Sequence, residues 1–238
     1  MPPPYAILME KVGKNYASRP VLSGVDMKVE RGKAVSLFGE NGSGKTSLLK
    51  IASSLSPPSS GSVTVAGFDT STSAKEARGK IGLVSHEDCL YDRLSAEENV
   101  SFFCRLHGVS DPEGRARELV DRFEIARSSA PCGSLSAGMK KRVSIARAVS
   151  HNPEVVVMDE PFSGLDRKGG AILSDLIIRL RDGGAAVLFS THLTARAAEL
   201  ADFAALLSGG RIAFYENSRG MSAGELEEMV SRPHGSAE

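Results

Sequence analysis

Gly39-Glu40-Asn41-Gly42-Ser43-Gly44-Lys45-Thr46, continued by Ser47, is the stretch on which the fold turns. It follows the apolar run Ala34-Val35-Ser36-Leu37-Phe38, which reads as a buried strand. It precedes Leu48, Ile51, Ala52 and Leu55, whose i, i+3, i+4, i+7 spacing marks one face of a helix that Pro57-Pro58 must end. A strand, a glycine-rich turn and a helix in this order form a phosphate cradle. The glycines let backbone amides point inward, and the helix start adds its positive end. In the pattern G-x-x-x-x-G-K-[ST], Lys45 reaches the β- and γ-phosphates and Thr46 offers a hydroxyl to Mg²⁺. Ser47 is placed for the α-phosphate.

Outward from this loop, Ile7 to Val29 reads as short strands joined by polar turns, Ser62 to Ala66 as a strand, and Ile81 to Val84 as another. From Ser95 to about Ser150 the apolar spacing turns helical, as in Val100, Phe103 and Cys104, or Leu119, Val120 and Phe123. Strands return at Val155–Met158 and Ala185–Phe189, each followed by a loop and a helix, the pattern of a parallel sheet. Ser222 with Glu225 predicts a capping box for a last short helix, and 233–238 reads as a frayed tail.

Two further groups carry chemistry. Val155-Val156-Val157-Met158 ends in Asp159 and Glu160, two carboxylates at the edge where α/β sheets meet ligands. Asp159 suits Mg²⁺ as an outer or water-mediated partner, and Glu160 suits the polarisation of an attacking water. Gly133-Ser134-Leu135-Ser136-Ala137-Gly138 leads into a helix with Met139, Val143, Ala146 and Val149 on its apolar face and Lys140, Lys141, Arg142 and Arg147 mostly elsewhere. Ser136 is its expected N-cap, and the open amides there make a second anion site. If both half-sites belonged to one pocket one of them would be redundant; if each completes a pocket in a second copy, the ligand joins a dimer.

Composition narrows the classes. Lys+Arg and Asp+Glu both number 29, so there is no global basic field for nucleic acid. At 41% hydrophobic and 24% charged residues over 238 positions, the chain is expected to be a soluble globular protein. No apolar run approaches a membrane span, and the start Met1-Pro2-Pro3-Pro4-Tyr5 lacks the pattern of an export signal. Cys89, Cys104 and Cys132 have no metal-ligand spacing and are expected to be free thiols.

Taken together, the motifs resemble the ATP-binding subunits of ABC transporters over roughly residues 5 to 220. The resemblance implies that Leu135-Ser136-Ala137-Gly138-Met139 is the family signature, that Ser136, Ala137 and Gly138 of one copy face the γ-phosphate held by the other, and that Ser163-Gly164-Leu165-Asp166 is a dimer-contact loop. His192 would sense the γ-phosphate, and Tyr16 would stack on adenine. His86, at the end of Ile81-Gly82-Leu83-Val84-Ser85-His86, stands where most of the family has glutamine and would orient water near Mg²⁺. Ala137 and Met139 replace the usual glycine and glutamine. Within the family, His86, Leu90-Tyr91, Leu94-Ser95-Ala96-Glu97-Glu98-Asn99 and Glu160-Pro161-Phe162-Ser163-Gly164-Leu165-Asp166 resemble the haem exporters of cytochrome c maturation, and the broader exporter group with six-helix permeases is also similar.

The expected fold is therefore α/β: a P-loop NTPase core with a mixed β-sheet, an N-terminal antiparallel β portion and an inserted α-helical subdomain. Residues 1–86 and 151–220 would form the core of one ATPase domain, 87–150 the helical insertion, and 221–238 the C-terminal helix and tail. ATP and Mg²⁺ are the implied cofactors. The implied partners are a second ATPase subunit and a membrane permease, met around His86 to Phe103, with the protein peripheral on the cytoplasmic face of the membrane. Two rivals share the cradle: a small-metabolite kinase, which has no use for Leu135 to Gly138, and a non-catalytic ATP-gated clamp, against which Glu160 argues.

Overall fold

The computed structural model describes residues 4–17, 19–125 and 129–232. The chain opens with a hairpin of β1 (Tyr5–Tyr16) and β2 (Arg19–Glu30), followed by the central strand β3 (Ala34–Phe38) and helix α1 (Lys45–Ala52). Next come β4 (Ser60–Val65), β5 (Phe68–Asp69), α2 (Ala74–Arg78) and β6 (Ile81–Val84). Three helices follow, α3 (Ala96–Leu106), α4 (Pro112–Arg122) and α5 (Ala137–Ala148). The chain then returns through β7 (Val155–Met158), α6 (Arg167–Asp182), β8 (Ala186–Ser190), α7 (Thr194–Leu200), β9 (Phe203–Ser208), β10 (Arg211–Asn217) and α8 (Ala223–Ser231).

Two sheets result. One is antiparallel, in the order β2-β1-β4-β5. The other runs β10-β9-β3-β8-β7-β6, with β9, β3, β8, β7 and β6 parallel and β10 an antiparallel edge. Strands β3, β7 and β8 are buried along their whole length, as the strands of a parallel sheet covered on both faces must be. One apolar cluster joins the antiparallel sheet and α1 to one face of the parallel sheet; another joins α3, α4, α5 and α6 to the opposite face. The mixed α/β architecture with an antiparallel portion and a helical insert is the one expected.

Local differences have physical reasons. Ile7 to Val29 is spanned by two 12-residue strands and not by several short ones: register shifts between Met9 and Val12 and around Lys14 absorb the breaks in alternation that read as turns. Helix α1 starts at Lys45 and ends at Ala52, so Leu55 falls beyond it and is 58% exposed, off the apolar face its spacing suggested. The β4 strand begins earlier than Ser62 and stops at Val65, because Ala66 adopts φ 52°. Strand β8 is shifted by one residue, so that it ends on Ser190. Helix α5 is buried on nearly every side, Lys141 and Arg147 included; their charged heads reach backbone carbonyls at Ser85, His86 and Cys89. Capping boxes form at Ser95 with Glu98 and at Ser222 with Glu225. The expected tail, 233–238, lies outside the described residues.

Candidate functional site

The carboxyl ends of four adjacent parallel strands, β3, β8, β7 and β6, deliver the glycine-rich loop, His192, the pair Asp159-Glu160 and His86 to one edge of the sheet. A cleft of about 430 Å³ lies there, lined by Glu40, Asn41, Gly42, Gly44, Lys45, Thr46, Ser47, Val21, His86, Asp159, Glu160 and His192. Residues from five separate stretches of the chain thus converge on one cavity. Gly39 and Ser43 line the neighbouring cleft on the loop's other side, which also includes His192.

The loop geometry explains its glycines. At Gly39, with φ 152°, a Cβ would lie 2.5 Å from the Leu207 carbonyl oxygen and 2.6 Å from Ser43 Oγ. At Gly44, with φ 106°, it would lie 2.9 Å from Leu22 Cδ2. The Lys45 ammonium folds back over the loop and donates to the carbonyls of Gly39 (2.6 Å) and Glu40 (3.1 Å). Burial lowers its pKa, while Glu160 and Asp159 act in the opposite direction. Ser43 Oγ is buried without a hydrogen-bond partner, a free donor within the glycine-rich loop. These features suit a bound phosphate.

The acidic pair forms a hydrogen-bonded chain linking the start of α1 to the ends of β7 and β8. Thr46 Oγ1 donates to Asp159 Oδ2 at 2.7 Å, and Ser190 Oγ donates to Asp159 Oδ1 at 2.7 Å. The Glu160 backbone N–H donates to Ser190 Oγ at 2.8 Å, and His192 Nε2 lies 3.1 Å from Glu160 Oε1. Burial raises the Glu160 carboxyl above the ordinary glutamate range; His192 and Lys45 pull it back, and Asp159 adds to the rise. A half-buried carboxylate of raised basicity beside an imidazole is suited to hold a proton taken from water. Thr46 and Asp159 supply the hard oxygens that Mg²⁺ takes, one hydroxyl and one carboxylate, with phosphate oxygens and water completing such a sphere. The residues fit the ion; when bound, it would neutralise charge on the terminal phosphates.

The remaining expected site residues lie elsewhere. Ser136, Ala137 and Gly138 are absent from the lining of the cleft; Ser136 caps α5 by accepting from the Met139 N–H at 3.3 Å. A Cβ on Gly138 would come within 2.9 Å of the Gly164 carbonyl oxygen, so the signature and the Ser163 to Asp166 loop pack on each other. Asp166 also caps α6 and accepts from Arg142 Nη2 at 2.6 Å, a tie from that loop to α5 that sequence reading missed. Tyr16, at the end of β1, is 47% exposed outside the cleft lining, with the Lys14 ammonium 5.3 Å from its ring centre. Ser190 was also missed. Its one sequence signal is a small polar residue closing the apolar run Ala186–Phe189, two positions before His192.

On the helical side, Tyr91 is 49% exposed and packs edge-to-face on Phe102, while Leu90 is half buried against the core. A second cleft, of about 390 Å³, runs between β6 and helices α3 and α5, lined by Leu55, Cys89, Phe103, His107, Arg147 and His151 among others.

Comparison with known proteins gives a consistent picture. A family model described as "ABC transporter" matches residues 22–163. The chain is 37% identical over 194 residues to the ABC transporter ATP-binding protein NatA of Bacillus subtilis, covering 80% of this chain and 79% of that protein. It is 35% identical to the daunorubicin resistance ATP-binding protein DrrA3 of Streptomyces coeruleorubidus (87% and 66% covered). It is 34% identical to the Nod factor export ATP-binding protein I of Cupriavidus pinatubonensis (85% and 63% covered), so it spans about two thirds of these two relatives. Among solved structures, an ATP-binding subunit of an ABC transporter superposes with a TM-score of 0.87 at 28% identity, covering 95% of this chain and all of that one. A dimeric ATP-binding cassette, MJ0796, in a post-hydrolysis state bound to ADP and Pi superposes with a TM-score of 0.83 at 28% identity, covering 90% of this chain and all of that one.

Proposed function

The chain belongs to the ATP-binding subunits of ABC transporters, and from that premise we propose that it hydrolyses ATP between two copies, closing head to tail, to drive export through a separate membrane permease. The observation that carries this reading is the incomplete cleft. Lys45, Thr46, Asp159, Glu160 and His192 line it, while the capped start of α5 at Ser136 does not. A second copy supplies Ser136, Ala137 and Gly138 to the γ-phosphate, and the dimeric form of the related cassette favours that arrangement. Amides of Gly39 to Gly44 and the Lys45 ammonium would hold the triphosphate, Tyr16 would stack on the base, and Thr46 and Asp159 would hold Mg²⁺. Glu160 takes the proton of the attacking water, with His192 and His86 orienting the terminal phosphate and water.

Export is favoured because the relatives named above include a drug-resistance protein and a Nod factor export protein. The narrower reading, haem export, rests on the resemblance of His86, Leu90-Tyr91, the Leu94 to Asn99 segment and the Glu160 to Asp166 segment. The permease would seat a segment in the second cleft beside Tyr91 and Phe103, holding the protein on the cytoplasmic face of the membrane. Among the described residues no helix is long and apolar enough to cross a membrane.

The test is Glu160→Gln. It should retain MgATP binding, form a dimer with MgATP by light scattering, and lose turnover by roughly 10²–10⁴. Hydrolysis at the wild-type rate removes the general-base role, and a strictly monomeric complex removes the shared site.

A further inference from the structure

We propose that Ser190 is a positioning residue for hydrolysis: its one hydroxyl fixes both the rotation of the Asp159 carboxylate and the backbone turn that aims Glu160. Ser190 is fully buried at the end of β8, one residue past the Phe189 that pairs with Met158 of β7. Its partners force the direction of its hydrogen bonds. An ionised carboxylate can only accept and a backbone N–H can only donate, so the hydroxyl gives its proton to Asp159 Oδ1 at 2.7 Å and takes the Glu160 N–H at 2.8 Å.

Two consequences follow. With Oδ1 engaged, Asp159 turns Oδ2 toward Thr46 Oγ1, 2.7 Å away, and two hydroxyls on opposite oxygens clamp the carboxylate against rotation. The second concerns Glu160, which sits at φ 46° in the left-handed region that side chains avoid. The hydrogen bond from its N–H to Ser190 anchors that turn and so sets where its carboxylate leaves the strand. Ser36, equally buried in β3, makes only a 3.4 Å contact with the Phe203 carbonyl and has no link to the site. Unlike Ser36, Ser190 is tied to both members of the acidic pair.

The inference rests on the reading that Asp159 serves Mg²⁺ and Glu160 the water. Its test uses the full chain as wild type, Ser190→Ala and Ser190→Thr. Steady-state ATPase is measured at varied ATP and Mg²⁺. A second readout, free of turnover, is the Mg²⁺ concentration giving half of the thermal shift induced by a non-hydrolysable ATP analogue. Ser190→Ala should lower kcat by about 10- to 100-fold and raise both Mg²⁺ midpoints by a similar factor, the range seen when a partner of a metal ligand is removed. The KM for ATP should change by less than about threefold, because Lys45 and the loop amides are untouched, and Ser190→Thr, which keeps the hydroxyl, should regain most of kcat. If Ser190→Ala does not fold, Ser190→Cys carries the test, since a thiol fills the space as a poor donor. Unchanged kcat and Mg²⁺ midpoints in Ser190→Ala overturn the proposal, as does a threonine variant as impaired as alanine with both melting early. Glu160→Gln measured in parallel separates the two ideas. Full activity in that variant removes the acidic-pair reading, whereas its loss beside an unaffected Ser190→Ala removes only the role of Ser190.

Discussion

Acidification should weaken the joint between the helical insert and the sheet, through one histidine. His107, at the end of α3, and His151, in the turn from α5 to β7, stack with ring centres 3.7 Å apart and planes 12° off parallel. Burial first, and the neighbouring His107 second, push His151 from 6.5 down to about 4, against a smaller opposing contact with the Ile81 backbone. The unfolded chain therefore takes up a proton near pH 6.5 that the folded chain refuses until about pH 4. Stability tied to the neutral stack is full above the unfolded value, falls as pH drops toward 4, and levels off below it.

The gap between the two values corresponds to at most ~3.4 kcal/mol, and the part lost between about pH 7.5 and about pH 5 is ~1.9 kcal/mol. The His151 ring nitrogens are buried although the residue as a whole is only partly so, and relaxation around the charged ring brings the expected loss nearer ~1 kcal/mol. For a chain of this size that is a Tm decrease of about 2–4 °C. His151→Phe keeps a stacked ring and removes the titration. Melting of wild type and variant by circular dichroism at both pH values should show the wild type losing about 2–4 °C more than the variant. Equal losses in the two proteins would refute the buried neutral stack.

Two other perturbations probe the cradle. Lys45→Ala removes a charged donor to the phosphates and should weaken ATP affinity by about 1.5–3 kcal/mol, roughly 10- to 100-fold; equal affinity in a fluorescence titration counts against the cradle. Tyr16→Ala should weaken ATP binding by about 1–3 kcal/mol while leaving kcat at saturation intact, and an unchanged Kd removes the stacking role.

Local chemistry made much of the site legible. Gly39 to Thr46 lies in one continuous stretch between a strand and a helix, so the cradle needs no distant partner to be recognised, and the glycines it contains are those the backbone demands. Asp159 and Glu160 end a run of four apolar residues, and a strand buried on both faces has only its end at which to present charge. The errors arose where packing overrode period. Leu55 has helical spacing but follows the helix end, and Lys141 and Arg147, which fall off the apolar face by spacing, are nevertheless buried with their heads bonded to carbonyls of the segment after β6.

The sequence by itself determined which groups exist: a phosphate loop, two acids, a histidine after a strand, and a serine-capped helix. It did so because each is a local pattern of residue types. Only the tertiary structure decided how they meet. Parallel pairing sets β3, β8, β7 and β6 side by side, although β6 and β7 are separated in the chain by three helices, and it brings Thr46, Asp159, Ser190 and Glu160 into one chain of hydrogen bonds. The same pairing leaves Ser136 outside that cleft. Distances between strand ends depend on sheet order and register, which are set by long-range burial of apolar faces and are not written in any one segment.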